Sequence, residues 1–234
     1  MKKIIISGSE GFVGKHLISK LSKNKKIKLI KMNRKFGDIK KKYTWKKLIS
    51  GDVLIHLAGE SFPPKTWKNP NECIRCNVLG TVMALDYCRA NNTKMIFISS
   101  YMYGNTNKFP TNEKSKIKIN NPLALSKAMA EEFCKFYAKN YKIKIIILRP
   151  SNIYGPGQKD FEIFNIVSGK SYSINEIVKI LKNYFGKNFY ILNKNINRKN
   201  EILQTKLDIG KAKRILKWKP RWNLKKGLKY TVRK

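Results

Sequence analysis

Acidic residues are scarce in this chain of 234 residues: 14 Asp+Glu stand against 51 Lys+Arg, a formal net charge of +37. There are also only two His and four Cys. So few thiols exclude a disulfide scaffold, and Cys73, Cys76, Cys88 and Cys134 agree with a reducing compartment. Cys73 and Cys76 form a C-x-x-C pair without a second ligand pair, and His16 and His56 fall in other motifs. Core thiols are expected there, and no metal site. No heptad is sustained and no short repeat recurs, which excludes coiled-coil and collagen-like classes. Long apolar runs are missing too. The first, Ile4 to Ile6, is interrupted by Ser7 and Gly8, well short of the apolar core of a secretory signal, and nothing elsewhere reaches membrane-span length. A cytoplasmic protein without a membrane partner is expected.

What is present can build a core. Apolar side chains make up 42% of the chain, with 11 Tyr, 11 Phe and 4 Trp, so a disordered polycation is excluded. The length suits one large domain, or a domain with a small appendage. Lysine is spread along the whole chain with an excess of Asn and Ile, as an AT-rich coding bias produces, and reads as solvated faces. The densest basic segment, Lys211 to Lys234, interleaves Trp218, Trp222 and Tyr230. That pattern suits stacking on nucleic-acid bases, but helical spacing favours packing of a C-terminal helix.

Short runs rich in Ile, Val or Leu alternate with amphipathic stretches, the sign of βαβ units. Strands are expected at 3–7, 28–32, 53–57, 95–99 and 144–148, and helices at 12–22, 71–91 and 122–140. Asn121 and Pro122 suit the cap and first position of the third helix. Such alternation builds a mostly parallel sheet with helices on both faces. After Gly155-Pro156-Gly157 the pattern changes to a strand at 164–167, a helix at 173–185, a strand at 189–192 and a last helix at 207–216. The expected division is a domain over 1–154 and a small α+β cap over 155–234.

Gly8, Gly11 and Gly14 stand in G-S-E-G-F-V-G, directly after the first strand and opening the first helix. In that context the first glycine permits a tight turn, the second a close approach of backbone to a pyrophosphate, and the third packing of helix on sheet. The second strand ends in Lys31-Met32-Asn33-Arg34-Lys35, without the acid that usually bonds an NAD ribose. Asn33 can still bond a ribose, while Arg34 and Lys35 can clamp a 2′-phosphate, which tilts the reading toward NADP.

Further segments carry a family resemblance: Gly37-Asp38-Ile39, DVLIHLAG at Asp52 to Gly59, NVLGT at Asn77 to Thr81, ISSYMYG at Ile98 to Gly104, NPLALSK at Asn121 to Lys127 and LRPSNIYGPG at Leu148 to Gly157. With the glycine turn, and with FNIVSGKSYSINEI at Phe164 to Ile177 and the segment Asp208 to Pro220 further on, they cover nearly the whole length. The chain resembles the extended short-chain dehydrogenase/reductases, in particular the NAD(P)-dependent epimerase/dehydratase group acting on nucleotide sugars. The resemblance implies a Rossmann-type, doubly wound parallel sheet with a shortened cap. It implies an NAD or NADP cofactor held by Gly8, Gly11, Phe12, Val13, Gly14, Asn33, Arg34, Asp38, Ile39, Leu57, Ala58, Gly59, Lys127 and Pro150, and a nucleotide sugar near Ser99 and Asn152. It further implies a homodimer through the helices at 71–91 and 122–140. The family chemistry passes a hydride between nicotinamide and a sugar carbon while a tyrosine takes the hydroxyl proton. A lysine four residues later lowers that tyrosine's pKa, and Ser99 or Ser100 bonds the reacting hydroxyl.

Two departures stand out. The family's Tyr-x-x-x-Lys falls on Leu123-Ala-Leu-Ser-Lys127, so the lysine is present and the phenol is not. Losing a general acid/base typically costs about 10²–10⁴ in rate. Tyr101, Tyr103 and Tyr154 lie in neighbouring motifs, where packing is the expected role of Tyr103 and Tyr154. Second, only six residues separate Gly157 from Phe164, where the family carries several dozen that build the nucleotide-sugar pocket. Three readings follow: an NAD(P)-dependent nucleotide-sugar epimerase, dehydratase or reductase; a cofactor-binding protein with impaired catalysis; and a basic nucleic-acid-binding module on the same fold.

Overall fold

The computed structural model describes residues 1–103, 110–150, 162–186 and 206–231. Six parallel strands form one sheet in the order β2-β1-β3-β4-β5-β6: β1 Lys2–Ser7, β2 Ile27–Met32, β3 Val53–His56, β4 Lys94–Ile98, β5 Ile145–Pro150 and β6 Glu162–Ile166. From β1 the chain moves outward to β2, then returns to place β3 on the other side of β1. The crevice where that order reverses, past the carboxyl ends of β1 and β3, is where open α/β sheets take their ligands. The expected α/β sheet is thus present.

Nearly continuous apolar strands mark a sheet buried on both faces. On one face Ile5, Leu54, Met95, Phe97, Ile145 and Ile147 pack with Trp45, Leu85, Cys88, Ala130 and Cys134 from the covering helices. Alternate residues of β5 and β6, Ile146 and Ile166, pack against Ala212 on the opposite face. The helices are α1 Phe12–Leu21, α2 Lys42–Lys46, α3 Pro63–Lys68, α4 Pro70–Ile74, α5 Gly80–Ala90, α6 Pro122–Tyr141, α7 Ile174–Phe185, α8 Gly210–Leu216 and α9 Leu224–Thr231.

Several expectations shift. The helix expected at 71–91 is α4 and α5 joined by a π-helical stretch, Arg75–Leu79. The last expected helix begins at Gly210, because Leu207 instead makes a parallel bridge with Thr111. The strands expected to reach Leu57 and Ser99 stop at His56 and Ile98, where the chain turns into the crevice. The strand expected at 189–192 lies outside the described residues. As expected, Asn121 caps α6, its side chain accepting from the Ala124 amide at 2.7 Å, and Pro122 occupies the first turn. All four cysteines are free, three of them buried.

A buried polar chain ties α6 and β5 to the C-terminal segments. Arg149 donates to both oxygens of Glu131 at 2.8 and 2.5 Å and to the Tyr103 hydroxyl at 2.8 Å. Tyr103 donates to Asn165, which donates to the carbonyls of Thr111 and Asp208. Every member is paired, the condition for a buried charge to be tolerated. Tyr103 is buried, with its hydroxyl engaged on both sides by Arg149 and Asn165.

Candidate coenzyme and catalytic site

The glycine turn is specified by backbone sterics. Gly8 has φ +72°, and a Cβ there would stand 2.8 Å from the Ala58 nitrogen. A Cβ on Gly14 would stand 2.3 Å from the Gly8 carbonyl oxygen. The amides of Gly8 and Ser9 both donate to the Met32 carbonyl, at 2.9 and 3.2 Å, locking the turn onto the end of β2. Gly11 differs: a Cβ there would meet only the Gly8 oxygen, at 3.2 Å, and otherwise open space. Helix α1 begins after Gly11 with no side-chain cap and no acid in its first turn. Its leading N–H groups and the positive end of its dipole are thus available to an anion. An open backbone surface at an uncapped helix start fits a pyrophosphate. Phe12 is exposed and stacks edge-on with His16, while Val13 is half-buried.

At the end of β2 the Asn33 side chain is doubly engaged. Its carbonyl oxygen accepts from the Phe36 amide at 2.9 Å, and its NH₂ donates to Glu10 at 2.7 Å. Arg34 and Lys35 are exposed. Asp38 accepts from the Lys40 amide and lies 3.6 Å from the Lys40 ammonium, so local contacts engage its carboxylate. Ile39 packs against the core, over Gly80, where a Cβ would come within 2.8 Å of it.

Beyond β3, the Leu57 amide donates to the Ser7 carbonyl and the Ala58 amide to the Ser7 hydroxyl. His56 Nδ1 pairs with that hydroxyl at 2.7 Å, and burial, reinforced by the charge of Lys127, pushes the His56 imidazole down to about 3. Gly59 leaves room for Asn77, since a Cβ there would lie 2.5 Å from the Asn77 oxygen and 3.6 Å from Lys127 Nζ. Asn77 exchanges hydrogen bonds with the backbone of Glu60 and donates to Ser126 on α6. This clamp joins the β3 loop to the two long helical segments. Asn77 belongs to the N-V-L-G-T segment, whose spacing alone did not mark it as a site residue.

Lys127 is buried on α6. It donates to the Ile98 carbonyl at 2.9 Å and sits 5.1 Å over the Phe97 ring. Burial pushes its ammonium down to about 8. Ser99 follows Ile98 directly; its amide donates to Leu148, and its buried hydroxyl has no partner among the described residues. Lys127 and Ser99 therefore meet at the end of β4, with Gly59 beside them. Ser100, the next residue, is half-buried, and Pro150 ends β5. Leu123 stands one turn before Lys127, nearly buried, its carbonyl accepting from Ser126. Tyr101 is half-buried, edge-on to Tyr103 at 5.7 Å. Asn152 and Tyr154 lie outside the described residues. Among the described residues no cluster of His, Cys, Asp or Glu could hold a metal ion, and no helix is long and apolar enough to cross a membrane.

The family model described as "NAD dependent epimerase/dehydratase family" matches residues 4–187. A Methanocaldococcus jannaschii protein, provisionally named UDP-glucose 4-epimerase, is 30% identical, with 98% of this chain and 97% of the relative covered. That alignment runs over 298 positions, more than the 234 residues here, so the relative carries residues without a counterpart. The dTDP-D-glucose 4,6-dehydratase of Dictyostelium discoideum is 30% identical over 79% of this chain, which spans about half of that relative (52%). The crystal structure of UDP-glucose 4-epimerase with UDP-glucose from Thermotoga maritima superposes with a TM-score of 0.90 at 24% identity, covering 98% of this chain and 97% of that one, a likeness of fold.

Proposed function

The chain belongs to the NAD dependent epimerase/dehydratase family, and on that premise we propose that it binds NAD(P) across the carboxyl ends of β1, β3 and β4, takes a nucleotide sugar beside it, and turns that sugar over slowly. The carrying observation is the turn from Gly8 to Gly14, whose backbone excludes side chains yet stays open over Gly11. The amides opening α1 would hold the pyrophosphate. Bound there, the coenzyme supplies a nicotinamide that exchanges hydride with a sugar carbon. Lys127, at the end of β4, would bond the nicotinamide ribose, and the unpartnered Ser99 hydroxyl would accept or donate to the sugar hydroxyl.

Slow turnover rests on Leu123. Its side chain has no proton to exchange at the position where the family places a phenol one turn before the lysine. Binding and catalysis thus separate in this reading. The test is calorimetric titration of NADH and NADPH with, in parallel, conversion of a panel of sugar nucleotides. Micromolar binding with slow or no conversion is expected; conversion at rates ordinary for an enzyme (~10 s⁻¹) would defeat the role given to Leu123.

The same reading includes a homodimer. Leu125, Met129, Phe133 and Phe136 form an exposed stripe at helical spacing along α6, 38 to 53% exposed, opposite its core-facing side. Sedimentation should give a dimer, and Phe133→Lys with Phe136→Lys should give monomers.

A further inference from the structure

We propose that Glu10 reads the adenosine ribose of the coenzyme and makes the site prefer NAD(H) over NADP(H), an inference that rests on the coenzyme reading above. Dinucleotide sites usually place an acid at the end of the second strand to accept from the ribose hydroxyls, and this strand ends in Asn33-Arg34-Lys35 without one. The structure brings an acid to that place from a different element. Glu10 lies in the turn between Gly8 and Gly11, and its carboxylate is held at 2.7 Å by the Asn33 NH₂ just past the end of β2. The turn itself is fixed to the same strand end by the Gly8 and Ser9 amides on the Met32 carbonyl.

Most described acids are engaged by a cation or by main chain: Asp52, Glu113, Glu176 and Asp208 accept from backbone N–H groups. Asp38, Glu60, Glu72, Asp86, Glu131 and Glu132 each lie within ion-pair distance of a lysine or arginine. Among the described residues Glu10 pairs with no cation, in a chain holding 51 of them, and its hydrogen bond is to a neutral amide. Its acceptor capacity and its charge are therefore both left for a ligand. Vicinal ribose hydroxyls donate to such a carboxylate. A 2′-phosphate removes one of those donors and sets about −1.5 to −2 charges against it.

Arg34 and Lys35 pull the other way. All three side chains, Glu10 included, are exposed, but Arg34 and Lys35, with no contact that orients them among the described residues, would each lose side-chain freedom to hold a phosphate. Glu10 is already oriented by Asn33, so the preorganised acid prevails.

The test titrates NADH and NADPH into the full chain at about 0.15 M salt, where diffuse attraction by the basic surface is screened. Wild type is expected to bind NADH about tenfold or more tighter. Glu10→Gln should weaken NADH about tenfold and strengthen NADPH, and Asn33→Ala, which frees the carboxylate, should fall between. Arg34→Ser should weaken NADPH more than NADH, widening the preference that Glu10→Gln narrows. Tighter NADPH binding by wild type, or an unchanged preference in a folded Glu10→Gln protein, overturns the inference and leaves the coenzyme site standing. Binding of neither coenzyme overturns both.

Discussion

The glycine turn after β1 and the seat around Lys127 after β4 face the same edge of the sheet, and they are specified by opposite means. At the turn, side chains at Gly8 or Gly14 would collide with backbone atoms at 2.8 and 2.3 Å. What such a turn presents to a ligand is main chain, whose hydrogen-bonding groups do not depend on which side chains surround it. At the seat, the proposed chemistry would depend on single side chains: the buried Lys127, the unpartnered Ser99 hydroxyl and Leu123 one turn earlier. A coenzyme site can therefore outlast the loss of a proton carrier a few ångströms of helix away. In the proposed reading the first region holds the coenzyme and the second carries turnover.

Leu123→Tyr breaks that contrast most sharply. Restoring the phenol one turn before Lys127 places a proton carrier beside a buried cation, which lowers a phenol's pKa. A rise in sugar-nucleotide turnover of about 10²–10⁴ is expected, roughly 3–5 kcal/mol off the barrier, with coenzyme affinity within about twofold of wild type. Single-turnover kinetics with matched coenzyme titrations check both parts. An unchanged rate with a correctly folded variant would place the deficit in the shortened substrate wall instead.

Gly14→Ala attacks the other side of the contrast. The added methyl meets the Gly8 carbonyl and Ser9 backbone, none of which can yield as a flexible side chain does. Overpacking of this kind typically costs about 1–3 kcal/mol. Thermal melting should show that loss, and coenzyme affinity should fall about tenfold as the turn shifts. A variant with wild-type stability and affinity would show that the turn is not sterically set.

The sequence made the turn legible because glycine spacing, strand and helix start coincide in one short segment. The sheet was legible because its central strands, buried on both faces, are nearly continuous apolar runs, while the edge strand β2 still keeps Ile27, Leu29 and Ile30. The short helices α2 and α3 were not, since five or six residues, two of them Pro in α3, span too few turns to show a period. The π-helical stretch at Arg75–Leu79 was hidden as well, because an apolar helical pattern does not report a shifted hydrogen-bond register. At the candidate site, Leu123 and Lys127 stood out only through the resemblance, because the family's Tyr-x-x-x-Lys falls on them. The role proposed for Glu10 was hidden, because the acid that meets the ribose usually comes from the end of β2. An acid inside a glycine turn, with none at the following strand end, was the available signal. Asn77 required the fold, since its partners Glu60 and Ser126 are distant in sequence.

The smallest expected effect sharpens the comparison from the side of stability. Lys127 titrates near 8 in the fold against 10.5 in the open chain, because burial disfavours the ammonium. A cation whose folded pKa is depressed makes its full contribution to stability above the unfolded pKa, and loses it as pH falls through the window from about 10.5 to 8. At pH 7 the charged lysine is therefore a cost, of about 3 kcal/mol at most by that shift. Lys127→Met removes the cost but leaves the Ile98 carbonyl without its donor, a penalty of roughly 1–2 kcal/mol. A net gain on the order of 1 kcal/mol at pH 7 is expected, shrinking to nothing or reversing above pH 10. Urea denaturation of wild type and variant across that range checks the sign. A buried charge that costs stability and whose removal weakens coenzyme binding would mark Lys127 as kept for its ligand; a Lys127→Met protein that is less stable at pH 7 would instead make it a structural residue of α6.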